Sequence, residues 1–197
     1  MPRENIMPDI ALYPSCTHLL PEGKAEIILW EDRHLRMLKQ ALAEERPFAL
    51  CMLNETDLDN EIKQIPAIAT QCQVINFDRM DNGLLNIQVE GIQKIRLLNV
   101  KIEHDDLLSG HFTLYPNWQP QIRETRDDEL AEKLVHLFST MPEIGTLYPH
   151  PKLDDLSWVC QRWIEILPLE VRYKQLLITQ DNAKLTSRFL HKLFLAD

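Results

Sequence analysis

The residues best placed to do chemistry stand in one run, Trp30-Glu31-Asp32-Arg33-His34, directly after an apolar stretch. Glu31 and Arg33 are charged groups amid apolar neighbours. They either hold a functional site or, more simply, pair with each other or with backbone groups and brace a strand-to-helix corner. Trp30 beside them reads as core before it reads as part of a ligand box. Two other groupings invite a catalytic or metal reading. Ser15, Cys16 and His18 put a nucleophile near a base, but no strand-to-helix elbow accompanies them, so they read as a loop. His104, Asp105, Asp106 and His111 could form a carboxylate–imidazole metal cluster. No paired ligand spacing such as H-x-x-x-H is present, and E-H-D-D-L-L-S-G-H reads more simply as a solvated turn between strands. Tyr148-Pro-His150-Pro151 is a helix connection, and none of the five glycines belongs to a G-x-x-x-x-G-K-[ST] phosphate loop.

The elements that must position these residues are organised around residues 70–98. Two runs rich in Val, Ile and Leu flank Asp81-Asn82-Gly83, and the second alternates Leu85, Ile87, Val89 against Asn86, Gln88, Glu90. This is a β-hairpin, with Asn82 and Gly83 supplying the positive φ of a tight turn. Gly91 then interrupts the second run and predicts a bulge or bend, hence a coiled sheet or small barrel. Upstream, residues 9–14 and 25–30 are short strands, and residues 31–45 form a helix. That helix has Leu35, Leu38 and Leu42 on one side with Met37 and Ala41 beside them, Asp32 as its cap and Pro47 as its stop. Residues 48–53 are a continuous apolar strand, and residues 54–64 a polar surface loop.

After the proline-spaced connection Tyr115-Pro-Asn-Trp-Gln-Pro120, every apolar pattern is helical. Leu130, Leu134, Leu137, Phe138 and Met141 form one stripe, with Thr125 and Asp128 spaced as a capping box. Leu156, Val159, Cys160, Trp163, Ile164 and Leu167 form a second, stopped by Pro168. Leu185, Phe189, Leu190, Leu193 and Phe194 form the last. Trp118 sits in the polar connection, where a large ring either packs against the domain joint or meets a partner.

Composition narrows the function. The chain has 197 residues, 45% hydrophobic and 26% charged, with a formal charge of -9. That is a folded chain with room for one large domain or two small ones, and its field repels phosphate backbones and anionic lipid. Neither nucleic acid nor a membrane is expected as a partner. Cys16, Cys51, Cys72 and Cys160 form no C-x-x-C and read as reduced core residues of a cytoplasmic protein. The first residues carry no apolar leader, and no uncharged run reaches the roughly 18 residues of a membrane span.

Several pieces, taken in order, resemble the amino-terminal substrate-binding domain of the Lon protease family. Leu12-Tyr-Pro14 resembles its opening L-F-P, and Leu20-Pro-Glu-Gly23 its F-P-G turn. Residues 27–38 resemble its L-x-I-F-E-x-R-Y-x-x-M-x signature. Asn82-Gly83, Val89-Glu-Gly91 and Lys94-Ile95 resemble its D-G...V-x-G-x-x-R-F pattern, and residues 167–177 its L-P-x-x...K-Q-x-L-L piece. Glu22 and Ala69 stand where the family has glycines, and His34 where it has a tyrosine.

The resemblance implies an α+β chain: a PUA-like coiled β-sheet or pseudo-barrel over residues 1–118, then a helical bundle over 119–197. It implies a free-standing, non-catalytic module, without the ATPase or the Ser-Lys protease, that binds unfolded or tagged polypeptide or docks on a protein. No metal or cofactor is expected. Candidate peptide-binding residues are Tyr13, Leu19, Leu20, Trp30, His34 and Trp118, and Glu31, Arg33, Gly83 and Gly91 form the structural signature. The alternatives are a small hydrolase with an unrecognised site and, by analogy with the PUA fold alone, a nucleic-acid binder.

Overall fold

A computed structural model describes residues 7–53 and 65–194; the expected loop at 54–64 lies outside the described residues. The chain divides into two compact units, Met1–Pro116 and Asn117–Asp197. The first runs β1 (Met7–Ser15), β2 (Lys24–Leu29), α1 (Asp32–Leu42), β3 (Phe48–Met52), β4 (Ile68–Arg79), β5 (Leu85–Leu97), β6 (Lys101–Ile102) and β7 (Leu108–Leu114). The second runs α2 (Asp128–Thr140), α3 (Pro142–Gly145), α4 (Leu156–Ile166), α5 (Val171–Ile178) and α6 (Lys184–Phe194). The α+β expectation, strands first and helices after, is met. Among the described residues no helix is long and apolar enough to cross a membrane.

The hairpin forms as its pattern requires. Gly83 takes φ 85°, the Met80 N–H donates to the Leu84 carbonyl at 2.8 Å, and β4 and β5 pair from Arg79↔Leu85 to Ile68↔Arg96, with register shifts between Val74 and Asn76 and between Gln71 and Cys72. Ile87 and Val89 are fully buried on the inner face. The bend at Gly91 does more than relieve the strand. Before it, β5 pairs with β2 (Leu85–Glu90); beyond it, with β7 (Ile95–Leu97). One long strand thus changes neighbours, and the order β2-β5-β4-β3-β1-β7-β6, with β5 also on β7, closes five strands into a ring. A Cβ on Gly91 would sit 2.2 Å from the Leu20 carbonyl oxygen. The Glu22 N–H donates to the Gly91 carbonyl at 2.7 Å, and the Gly91 N–H to the Gly23 carbonyl at 2.9 Å. The glycine is required by close approach of two backbones, which no side chain permits.

β1 and β3 run parallel and are buried on both faces, which is why they read as unbroken apolar runs. Their alternate residues feed two clusters, one holding Ala11, Tyr13, Phe48 and Leu50, the other Ile10, Leu12, Ala49 and Cys51. Helix α1 covers the first with Met37 and Leu38, Leu35 and Ala41 packing beside them. Two details of α1 differ from expectation. Its cap position is Glu31, which makes no side-chain cap bond, and Asp32 lies inside the first turn. Leu42 is half exposed, because the helix ends there and its last turn passes the edge of the cluster.

The stretch expected as a solvated turn is only partly one. Leu107, Leu108, Ser109 and Gly110 are buried, and residues 108–111 already belong to β7. Its acids are engaged: Arg36 Nε and Nη2 donate to the two Asp105 carboxylate oxygens at 2.7 Å each, and Nη2 also reaches Glu103 at 2.6 Å. Arg46 bonds Glu103 at 2.6 Å and Asp9 besides. Burial would push Glu103 up, but the hydrogen bonds from Arg46 and Arg36 outweigh it and hold its pKa at about 2. Hydrogen bonding to Arg36 holds Asp105 at about 2 as well.

In the second unit α4 is buried from Leu156 to Ile164 and forms the centre. Asp155 caps it, its carboxylate accepting the Ser157 N–H at 2.9 Å. Arg162, with no exposed surface, pairs with Glu165 at 2.7 Å and lies 5.2 Å from the Trp158 ring centre and 5.7 Å from that of Tyr148. Tyr148 also stacks on Phe138 at 5.2 Å, so the proline-bound connection contributes a core ring. The expected capping box does not form. Asp128 pairs with Arg123, while Asp127, fully buried at the cap of α2, accepts from Ser187 Oγ at 2.7 Å and contacts His191 Nε2 at 2.9 Å. Those long-range partners displace the local cap. The inward face of α6 is correspondingly rotated: Thr186, Ser187 and Leu190 are buried, whereas Leu185 and Leu193 are exposed.

Candidate functional site

Pro14 at the end of β1, the β2–α1 corner, Leu53 after β3 and the turn before β7 meet around a cleft of about 270 Å³. Each wall follows from the fold. Parallel pairing brings the ends of β1 and β3 to the same side, and the ring brings β7 beside β1. Leu12, Tyr13, Leu53 and Leu108 give the apolar floor and walls, Trp30 and His34 the aromatic rim. Trp30 is 63% exposed, so the expectation that it fills the core is overturned: it follows Leu29, which points inward, and strand alternation turns it out. Tyr13 and His34 meet edge to face, ring centres 4.6 Å apart. Burial lowers the His34 pKa below the ordinary imidazole value, Glu31 opposing and Arg33 reinforcing. Burial also raises the Tyr13 phenol, with Glu31 adding to it.

Glu31 and Arg33 form the expected pair, Arg33 Nε to Glu31 Oε2 at 2.8 Å, and Arg33 Nη1 also donates to the Asp106 carbonyl at 2.8 Å. The pair therefore does two things: it braces the corner, and it stands on the wall of the cleft. Asp106 is held at φ 64°, a left-handed conformation that acidic and amide side chains tolerate better than most.

Of the six peptide-binding candidates the structure brings together Tyr13, Trp30 and His34. It does not bring the others. Leu19 and Leu20 are buried core residues, the latter pressed on Gly91 through its carbonyl. Trp118 belongs to the second unit, 7% exposed, its indole N–H donating to the Gln180 carbonyl at 2.6 Å. The sequence reading missed Leu53, Asp106 and Leu108 as lining. No local signal marks them, since strand pairing across the ring delivers them. Gly83 and Gly91 hold the hairpin, away from the cleft lining.

Among the described residues the cleft's lining carries no serine, cysteine or threonine, and the His34 imidazole packs on Tyr13. Ser15 Oγ accepts the Thr17 N–H at 2.9 Å in a local turn, and Cys16 is exposed, contrary to its reading as core; Cys51, Cys72 and Cys160 are buried and no disulfide joins the four. His111 sits in β7 against Asn99 while Asp105 belongs to Arg36, and no three His, Cys, Asp or Glu side chains among the described residues are placed to hold a metal ion.

Comparisons with known proteins agree with this fold. The crystal structure of a Lon N-terminal domain protein from Xanthomonas campestris superposes with a TM-score of 0.70 at 21% identity, covering 96% of this chain and 98% of that one. The N-terminal domain of the Mycobacterium avium complex Lon protease gives 0.62 at 15% identity, over 93% and 96%. At these identities the likeness is one of fold. A comparison with curated proteins finds no match. The family described as the ATP-dependent protease La (LON) substrate-binding domain matches residues 9–192, and with nearly the whole chain inside that match, this protein belongs to that family.

Proposed function

We propose that this chain is a non-catalytic polypeptide-binding module, and that the cleft at Tyr13, Trp30 and His34 receives side chains of an extended or unfolded chain. The observation that carries this reading is Trp30: an indole 63% exposed at the mouth of an apolar cleft, in a protein whose other three tryptophans are all under 10% exposed. A large ring kept in water at a concave site is the arrangement expected of a contact residue. Removing roughly 100 Å² of such a surface from water contributes about 2.5 kcal/mol, a large share of a weak affinity to which further contacts along the chain add. Family membership supports the same reading, since the family's description is of substrate binding.

The test is fluorescence titration with reduced, unfolded casein, comparing the native chain with Trp30→Ala, using a label on the casein. Binding weakened about fivefold or more, with thermal melting unchanged, is the expected result. Equal affinity in the two proteins would remove the cleft from the function.

A further inference from the structure

The cleft continues past its aromatic rim. Across Glu31, Arg33 and Asp106, which line both, it adjoins a second depression formed with Asp32, Ile102 and Asp105. Four of these six side chains are carboxylates and one is a cation. That cation is committed, Arg33 bonding Glu31 and the Asp106 carbonyl, and Asp105 is matched by Arg36. Asp32 and Asp106 are exposed, and among the described residues their carboxylates meet no cation. An apolar, aromatic surface therefore borders a patch of uncompensated negative charge, with the half-exposed Ile102 at its edge.

Resting on the polypeptide-binding reading above, we infer that the occupant is an extended peptide in which an apolar side chain enters the aromatic cleft and a lysine or arginine within two residues of it lies over Asp32 and Asp106. In an extended chain, side chains two apart point to the same side about 7 Å from each other, a spacing that suits two depressions sharing a wall. A long basic side chain also fits both materials it crosses, its methylenes along Ile102 and its charged head in water beside the carboxylates. An acidic residue at the same place meets like charge, so the site selects against acidic segments as well as for basic ones. The net charge of -9 acts in the same sense at longer range, steering cationic segments inward.

The experiment uses two acetylated, amidated peptides without tryptophan, identical except that one carries Phe-Ser-Lys and the other Phe-Ser-Glu in a Gly/Ser background. Binding is read by acrylamide quenching. Trp30 is 63% exposed while Trp118, Trp158 and Trp163 are 7%, 3% and 4% exposed, so the quenchable signal belongs to the cleft. At about 20 mM salt the lysine peptide binds about five- to tenfold more tightly, and the preference falls below about twofold at 0.5 M salt, where charges on the surface are screened. In the chain carrying Asp32→Asn and Asp106→Asn the preference is lost at low salt as well; asparagine tolerates the left-handed backbone at 106, so the fold is kept. Equal binding of the two peptides overturns the inference and leaves polypeptide binding standing. A preference unchanged in the double variant overturns the assignment to these carboxylates, and absence of binding by either peptide overturns both readings.

Discussion

In the β-unit ion pairs lie at the rim of the sheet: Arg36 with Glu103 and Asp105 has side chains 28%, 16% and 26% exposed, and Arg33 with Glu31 has 26% and 35%. In the helical unit the corresponding groups are interior, Arg162 with Glu165 at 0% and 8%, and Asp127 at 1% beside His191 at 23%. At the rim, water substitutes for a lost partner, so a pair contributes little net stability and is available for other uses, such as a binding surface. In the interior a removed partner leaves a charge without solvent, so the pair holds packing in place whether or not it stabilises relative to an apolar core. The difference predicts where substitutions cost most.

The largest effect belongs to Arg162. Replacing it by alanine takes the counter-charge from Glu165 and the guanidinium from the Tyr148 and Trp158 rings, a loss of about 3 to 5 kcal/mol for a pair this buried. Urea denaturation in a Trp30→Phe background reads the helical unit, which holds the three remaining tryptophans. The double change Arg162→Met with Glu165→Leu should recover most of the loss. If the single variant unfolds within about 1 kcal/mol of the parent, the interior half of the comparison is broken.

Asp127 comes next and shows itself through pH. Burial alone would raise its pKa, but hydrogen bonds from His191 and Ser187, with the charges of His191 and Arg126, outweigh it and leave it below 3.8. A carboxylate whose folded pKa is depressed contributes stability that is fully present above its unfolded pKa and is lost as pH falls through the folded one. The helical unit should therefore hold a constant urea midpoint from pH 7 to about 5 and lose stability below about pH 4. Asp127→Asn should lower the midpoint at pH 7 and flatten that acid limb. A wild-type midpoint that stays level down to pH 3 would mean that this cluster contributes no linkage.

Arg36→Ala should cost roughly 1 kcal/mol, since two well-formed bonds to Asp105 and one to Glu103 are lost at a site that water reaches. This network also shows which parts of the molecule could be read from sequence. The hairpin was legible because its turn residues, period of two and Gly91 bend all act within about twenty residues of one another. Arg36 and Asp105 are 69 positions apart, and nothing local marks them as partners. The same holds for Asp127: its neighbours Thr125 and Asp128 have the spacing of a local capping box, while its own partners come from α6, 60 and 64 residues on. In the cleft, Tyr13, Trp30 and His34 could be found because they sit inside two local motifs, Leu12-Tyr-Pro14 and residues 27–38; Leu53 and Leu108 could not, because the ring of strands supplies them. Leu19 and Leu20 misled for a related reason: an apolar loop beside the opening motif looks available until Gly91 is seen to clasp it.

The smallest expected effect on stability, and the sharpest use of the comparison, is at the corner. Glu31 and Arg33 are two residues apart, paired at 2.8 Å, and about a third exposed at the acid. Had the pair been buried, removing either partner would cost several kcal/mol; at this exposure Arg33→Ala should cost about 1 kcal/mol or less, including its bond to the Asp106 carbonyl. The double variant of Glu31 and Arg33 then separates two roles. If the pair acts only as a brace, coupling between the singles in urea denaturation should be a few tenths of a kcal/mol and binding of unfolded casein should be unaffected by any of the three variants. If the pair shapes the cleft wall, the same small coupling in stability will accompany a larger change in binding, because Arg33 holds the Asp106 turn against the site. A large coupling in stability would contradict the exposed geometry itself, and would place this corner with the interior pairs of the helical unit.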